Sequence, residues 1–245
     1  MKTILSYPIS VLYYLCFGLV LLIFHPIQWI CFNIFGYQIH KKSVDGLNFF
    51  ILRSLNVLGT RITFENNQKF DKDVPHIIVA NHQSPYDISP ISWYLREIHP
   101  KFISKKELGK GIPSISYNLR HGGSILIDRK NPRQSLPEIK KFAQYLIDTN
   151  RAAVIFPEGT RTKDGVPKEF SPTGLKMLFK LCPNAVVVPI TINNSWQIVK
   201  RGQFPLSLGV HLKCKVQPTL KVSDYSTEEL IKKVEQSITQ DIKNL

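Results

Sequence analysis

The chain opens on a long apolar stretch. Between Thr3 and Ile39 there is no Asp, Glu, Lys or Arg. Residues 4–24 alone would reach roughly 31 Å as a helix at 1.5 Å per residue, enough to span a bilayer core. His25-Pro26 then predicts an interruption, because proline removes a backbone donor and clashes with the preceding turn. The following segment, residues 27–39, is too short to span comfortably and carries Trp29 and Tyr37, which favour an interface. Further on, Leu47-Asn48-Phe49-Phe50-Ile51-Leu52 continues a helix and Arg61–Glu65 alternates like a strand.

From residue 76 short apolar runs alternate with helical patterns. Strands are predicted at 76–80, 101–104, 124–127, 152–156, 186–192 and 211–216. Helices are predicted at 87–96, 112–120, 132–147 and 173–181. A capping box, Ser226 with Glu229, opens a last helix with Leu230, Ile231, Val234, Ile238 and Ile242 on one stripe, expected to pack on the domain. Strands alternating with helices predict an α/β layered domain with a largely parallel sheet flanked by helices. The expected division is a membrane-anchoring helical segment over 1–42, an α/β domain over 43–225 and the terminal amphipathic helix over 226–245.

The 245 residues suffice for one such domain and its appendage. Lys and Arg outnumber Asp and Glu by 32 to 18, a formal charge of +14 that suits an anionic partner. The four cysteines, Cys16, Cys31, Cys182 and Cys214, form no C-x-x-C pair, so neither a disulfide framework nor a zinc site is expected. A cleaved leader is disfavoured, since the first alanine is Ala80 and no A-x-A site precedes it. Two membrane arrangements stay open: a single spanning anchor, or a re-entrant or interfacial helical hairpin. Lys2 before the stretch and Lys41-Lys42 after it suit two ends on the cytoplasmic side. A helix pair simply buried in the core is the bland alternative.

Chemistry concentrates where strands end. The first strand runs into Asn81-His82-Gln83-Ser84-Pro85-Tyr86-Asp87. Imidazole moves protons near neutral pH, and a nearby carboxylate fixes its tautomer. No G-x-S-x-G accompanies the pair and nothing marks Ser84 as activated. A base without a protein nucleophile implies that the substrate brings its own hydroxyl. Two further strands end in Asp128-Arg129 and in Pro157-Glu158-Gly159-Thr160-Arg161. In a parallel sheet all three clusters converge at one edge, where such sheets bind ligands. Arg129, Arg161 and Lys105 suit a phosphate, since guanidinium groups grip its oxygens bidentately. Gly159 admits close backbone approach.

Four ordered segments carry a family resemblance. They are Asn81-His82-x-x-x-x-Asp87, Gly123–Arg129, Phe156–Arg161 and Val187-Val188-Pro189-Ile190. Together they resemble the motifs of the glycerolipid acyltransferases, above all the bacterial 1-acylglycerol-3-phosphate acyltransferases. Lys105-Lys106-Glu107-Leu108 and Pro113 resemble the segment before the second motif. The likeness covers about residues 75–192 and the apolar N-terminus. Ser116 departs from it, standing where Gly is usual, and Thr162 stands where Ser is common.

The resemblance implies an acyl transfer from a thioester donor, acyl-CoA or acyl carrier protein, to the sn-2 hydroxyl of lysophosphatidic acid. His82 is then the general base and Asp87 its orienting partner. Lys105, Arg129, Glu158, Gly159, Thr160 and Arg161 bind substrate, with Glu158 orienting Arg161 or meeting a substrate hydroxyl. Val188-Pro189-Ile190 lines the acyl channel. Backbone N–H groups of Gln83 and Ser84 are candidate oxyanion donors. No metal and no resident cofactor is expected. The expected partners are the lysophospholipid, the acyl donor and membrane lipids, and the expected location is the inner membrane with the site facing the cytoplasm. Another lysolipid acceptor, such as a lyso-ornithine lipid, is the alternative within the class. A membrane-bound anionic-ligand binding module or a thioesterase are alternatives outside it. No nucleic-acid motif or aromatic stacking platform is present, so nucleic acid is not expected as a partner.

Overall fold

The computed structural model describes residues 2–128 and 131–242. Its centre is one mixed sheet of eight strands: β1 (Arg61–Glu65), β2 (His76–Ala80), β3 (Pro100–Lys105), β4 (Ile125–Ile127), β5 (Ala152–Ile155), β6 (Val186–Asn193), β7 (His211–Val216) and β8 (Leu220–Lys221). The spatial order is β1-β7-β6-β2-β5-β3-β4, with β8 beside β6. From β6 to β4 every pairing is parallel. β7 and β8 run antiparallel to β6. The expected α/β class and largely parallel sheet are therefore observed, with the antiparallel pairings confined to the β6 side.

Every residue of β2 is buried. Ile78 and Ala80 enter one core cluster and Ile77 and Val79 the other, so the strand has no solvated face. That two-sided burial is why it reads as a continuous apolar run instead of an alternating one. On one face lie the N-terminal helical run α1 (Lys2–Ser54) and α2 (Ile88–Tyr94); α3 (Ile115–His121) packs against α1 beside the short β4 edge. On the other lie α4 (Pro132–Thr149), α5 (Pro172–Leu181) and α6 (Thr227–Thr239). The Ser226 hydroxyl accepts from the Glu229 N–H at 3.3 Å, and Leu230, Val234 and Ile238 are buried against the sheet, as the stripe predicts.

α1 departs from the expected break. The helix passes through Pro26 and turns at Gly36, whose φ of 76° and ψ of −171° are non-helical. Proline costs the helix one hydrogen bond, which packing offsets here: the His25 ring accepts from the Ser114 N–H at 3.1 Å. The backbone angles at Gly36 lie in a region that essentially only glycine enters. The two arms, 2–35 and 37–54, fold back on each other. Phe24 meets Phe50 at 5.7 Å between ring centres, Phe32 meets His40 at 5.3 Å, and Leu21 clusters with Leu47 and Ile51. The arms form a helical hairpin turning at Gly36, and the return arm runs through residue 42 to Ser54.

The outgoing arm docks by one side only. Tyr13 is fully buried in the sheet core, the Ser10 hydroxyl accepts from the Leu206 N–H at 2.9 Å, and the Ser114 hydroxyl donates to the Leu21 carbonyl at 2.6 Å. On its other side Ile4, Leu12, Leu15, Leu19, Leu22 and Ile34 are more than half exposed. Patches of that kind mark interaction surfaces on folded proteins.

Gly36→Ala is expected to destabilise the chain by about 1–3 kcal/mol, because alanine must take the same strained angles. Gly18→Ala, at an open helical position on the same arm, is expected to be neutral or stabilising by up to about 1 kcal/mol. Thermal unfolding of the two variants side by side checks this contrast.

Candidate active site

Parallel β2 and β6 end side by side, and the first residue beyond β2 ties them. The Asn81 amide donates to the Ile192 carbonyl at 2.8 Å and accepts from its N–H at 2.7 Å. The chain then turns into a short 3-10 helix, Pro85–Asp87. Ser84 caps it, its hydroxyl accepting from the Tyr86 N–H at 3.1 Å, and Pro85 occupies the first turn, where a missing N–H costs nothing. This cap swings Asp87 back under His82.

Asp87 is fully buried and gathers five donors. Its Oδ2 accepts from the Gln83 N–H at 2.7 Å, the Ser84 N–H at 2.9 Å and His82 Nδ1 at 2.8 Å. Its Oδ1 accepts from the Ser84 hydroxyl at 3.3 Å and, in a short bond, from the Ser195 hydroxyl. With Oδ2 placed as the acceptor of this cluster, His82 Nδ1 is the donor to it and the ring's lone pair lies on Nε2. The His82 ring stacks on Phe156 with centres 4.1 Å apart, and its side chain is 15% exposed, opening to the cavities beside it.

The loop after β5 clamps this arrangement. Glu158 Oε1 accepts from the His82 N–H at 2.7 Å and its Oε2 from the Lys168 N–H at 2.9 Å. The Thr162 N–H returns to the His82 carbonyl at 2.9 Å. Burial raises the Glu158 carboxyl, and the two N–H groups hold it back. Gly159 takes a φ of 71°, and the Thr160 hydroxyl accepts from Lys168 Nζ at 2.6 Å. Among the described residues Arg161 makes no side-chain ion pair and faces both cavities.

Two cavities meet at His82, Ile88, Phe102, Ser104, Leu108 and Arg161. One, of about 310 Å³, runs between the hairpin and α2 and α3, walled by Phe17, Leu47, Ile51, Leu55, Ile112 and Leu119. The other, of about 330 Å³, is lined by Lys105, Gly159, Thr160 and Arg161. His82 thus stands between an apolar slot and a cation-lined one.

Of the expected site residues, His82, Asp87, Lys105, Glu158, Gly159, Thr160 and Arg161 come together at the carboxyl edge of β2, β3 and β5. Arg129 lies outside the described residues. Three expectations change. The Gln83 and Ser84 N–H groups are occupied by Asp87, so they do not stand free for an oxyanion. Glu158 fixes backbone on both sides of the site instead of pairing with Arg161. Val188-Pro189-Ile190 lies wholly in the buried sheet, and the hairpin with α2 and α3 walls the apolar cavity instead. Ser116, where glycine is usual, uses its hydroxyl: it accepts from the Ile112 N–H at 3.1 Å and donates to the Leu108 carbonyl at 2.9 Å. No motif in the sequence points to Ser195, whose N–H donates to the Gln83 side-chain oxygen at 3.1 Å. Adjacency of β2 and β6 was the signal that could have found it.

A family model described as Acyltransferase matches residues 61–193, from the start of β1 to the end of β6. The chain belongs to the acyltransferase family. It is 38% identical over 146 residues to a 1-acyl-sn-glycerol-3-phosphate acyltransferase of Helicobacter pylori, an alignment covering 56% of this chain and 58% of that protein. It is 27% identical over 209 residues to the protein of the same name from Borreliella burgdorferi, covering 81% of this chain and 80% of that one. The crystal structure of the 1-acyl-sn-glycerophosphate acyltransferase PlsC from Thermotoga maritima shares the fold, with a TM-score of 0.82 at 23% identity over 98% of this chain and 95% of that one. The family segment of this acyltransferase holds His82, Asp87 and the β5 loop, whereas Ser195 and the hairpin walls of the apolar cavity lie outside it.

Glu158→Gln puts an amide NH₂ against one of two N–H donors. It is expected to cost about 1–3 kcal/mol, the penalty for a buried donor left without an acceptor, measured by denaturant unfolding.

Proposed function

We propose that this acyltransferase moves a fatty acyl group from a thioester to the sn-2 hydroxyl of lysophosphatidic acid, giving phosphatidic acid. The observation that carries the reading is the position of His82, its Nδ1 engaged by Asp87 and its Nε2 free where the apolar and the cationic cavity meet. The acyl chain occupies the apolar cavity, and Arg161 and Lys105 hold the acceptor phosphate. His82 Nε2 takes the proton of the acceptor hydroxyl as its oxygen attacks the thioester carbonyl. The C–S bond breaks on collapse, and the thiol leaves with the proton from His82. Asp87 stabilises the imidazolium in between. The names of the relatives support lysophosphatidic acid as acceptor, and the donor is acyl-CoA or acyl carrier protein.

The exposed apolar side of the outgoing arm seats the enzyme in a leaflet, so that the lysolipid enters without leaving the membrane. A formal charge of +14 adds attraction to anionic headgroups, roughly 1 kcal/mol for each Lys or Arg near the surface. The site faces the cytoplasm, where the soluble thioester donor is.

His82→Ala is expected to lower turnover by about 10²- to 10⁴-fold with the fold retained. Arg161→Ala is expected mainly to raise the KM for the lysolipid. Steady-state kinetics with lysophosphatidic acid and acyl-CoA, products identified by mass, check both. Near-normal turnover of His82→Ala, or thioester cleavage undiminished without a lysolipid, would refute the reading.

A further inference from the structure

A third cavity, of about 30 Å³, lies at the opposite end of β3 from Lys105, where the return arm of the hairpin meets the sheet, and adjoins the apolar slot across Asn48, Ser92, Phe102 and Asn118. That is more room than the roughly 10–15 Å³ a single water needs. Four residues of strand, or roughly 13 Å, separate Lys101 here from Lys105 at the active site. The lining includes His40, Lys41, Asp45, Lys101 and Ser124.

Its polar groups are under-satisfied in one sense only. Lys101 is 6% exposed, yet among the described residues its ammonium makes no ion pair or hydrogen bond. It rests 4.9 Å from the centre of the Tyr37 ring, which also carries the Arg151 guanidinium at 3.8 Å. His40 is fully buried, and neither of its ring nitrogens has a partner. The Ser124 hydroxyl accepts from the Phe102 N–H at 3.0 Å, which leaves its own proton to donate. The one carboxylate in the lining, Asp45, is taken by Lys41 at 2.6 Å. His99, also in the lining, is tied to the Tyr37 hydroxyl at 3.0 Å. Burial, with Arg151 and Lys41 nearby, pushes the Lys101 ammonium down to about 7, against the pull of Asp45. A largely buried ammonium with no ion pair is costly, and an anion hydrogen-bonded both to it and to the groups around it offsets part of that cost.

We infer that this cavity is an anion-binding site, distinct from the catalytic one, that takes a phosphate-class oxyanion between Lys101, His40 and Ser124. The oxyanion is either a free ion or the headgroup of a lipid lying along the hairpin. Because Tyr37, His40 and Lys41 belong to the return arm while Lys101 and Ser124 belong to the sheet edge, the ion cross-links that arm to the domain.

The test is thermal unfolding of the full chain in a neutral detergent, with sodium phosphate against sodium chloride at equal ionic strength. Ligand at ten times its Kd shifts the folding equilibrium about 11-fold, expected as a rise of about 3–5 °C. Arg161→Ala should keep the rise, which separates this site from the cation-lined cavity of the active site. Lys101→Met should lose it while unfolding no lower than wild type without phosphate, since it removes a buried unpaired charge. His40→Phe, which leaves the ammonium in place, should weaken the rise. Phosphatidylglycerol added to the detergent in place of phosphate identifies a headgroup as the source if it alone protects, and a free ion if only phosphate does. Protection by neither in wild type, protection of Lys101→Met equal to wild type, or loss of protection in Arg161→Ala would overturn the inference.

Discussion

The carboxylate of Asp87 is where the structural and chemical demands on this protein meet. It is fully buried, and such a charge is tolerated only when donors surround it. Those donors come from two separate parts of the chain: the turn after β2, which supplies His82, Gln83 and Ser84, and the turn after β6, which supplies Ser195. Satisfying Asp87 therefore requires the two strands to lie side by side, and Asn81 fixes their ends together. The same bonds set the tautomer of His82. One acid holds the turn, registers two loops and readies the base.

Around that centre the protein divides labour by polarity. The β5 loop is held by Glu158, which spans from the His82 N–H to the Lys168 N–H, and so aligns Thr160 and Arg161 without drawing Arg161 into an ion pair with it. The hairpin does the opposite work. Its inner side completes the core and walls an apolar slot, and its outer side leaves large aliphatic groups uncovered. One element thus supplies both the wall of the apolar cavity and the exposed apolar surface. Gly36 makes the element possible, since the turn between the arms uses backbone angles closed to other residues.

Much of this was legible in the chain. The strands around the site carry apolar runs ending in polar clusters, and the rule that ligands sit at the carboxyl ends of parallel strands brought His82, Glu158 and Arg161 to one edge. The position of the turn in α1 was not legible, because Pro26 is the stronger breaker locally and only the packing of the two arms overrides it. The role of Ser195 was equally hidden: nothing in Asn193-Asn194-Ser195 marks it, and its partner is 108 residues away in sequence. The β6 segment misled for a related reason. Val188-Pro189-Ile190 reads as apolar whether it faces a channel or fills a sheet, and only the strand order, with β6 between β2 and β7, decides for the sheet.

The central claim is that His82 serves a hydroxyl brought by the acceptor, with no acylated side chain on the way. Mixing enzyme at substrate-like concentration with a long-chain acyl-CoA and no lysolipid, then following free thiol and protein mass in the first turnover, tests it most directly. No stoichiometric burst of thiol and no gain of an acyl mass on the chain are expected until lysophosphatidic acid is added. A burst equal to the enzyme concentration, with an acyl group recovered on a protein side chain, would contradict it.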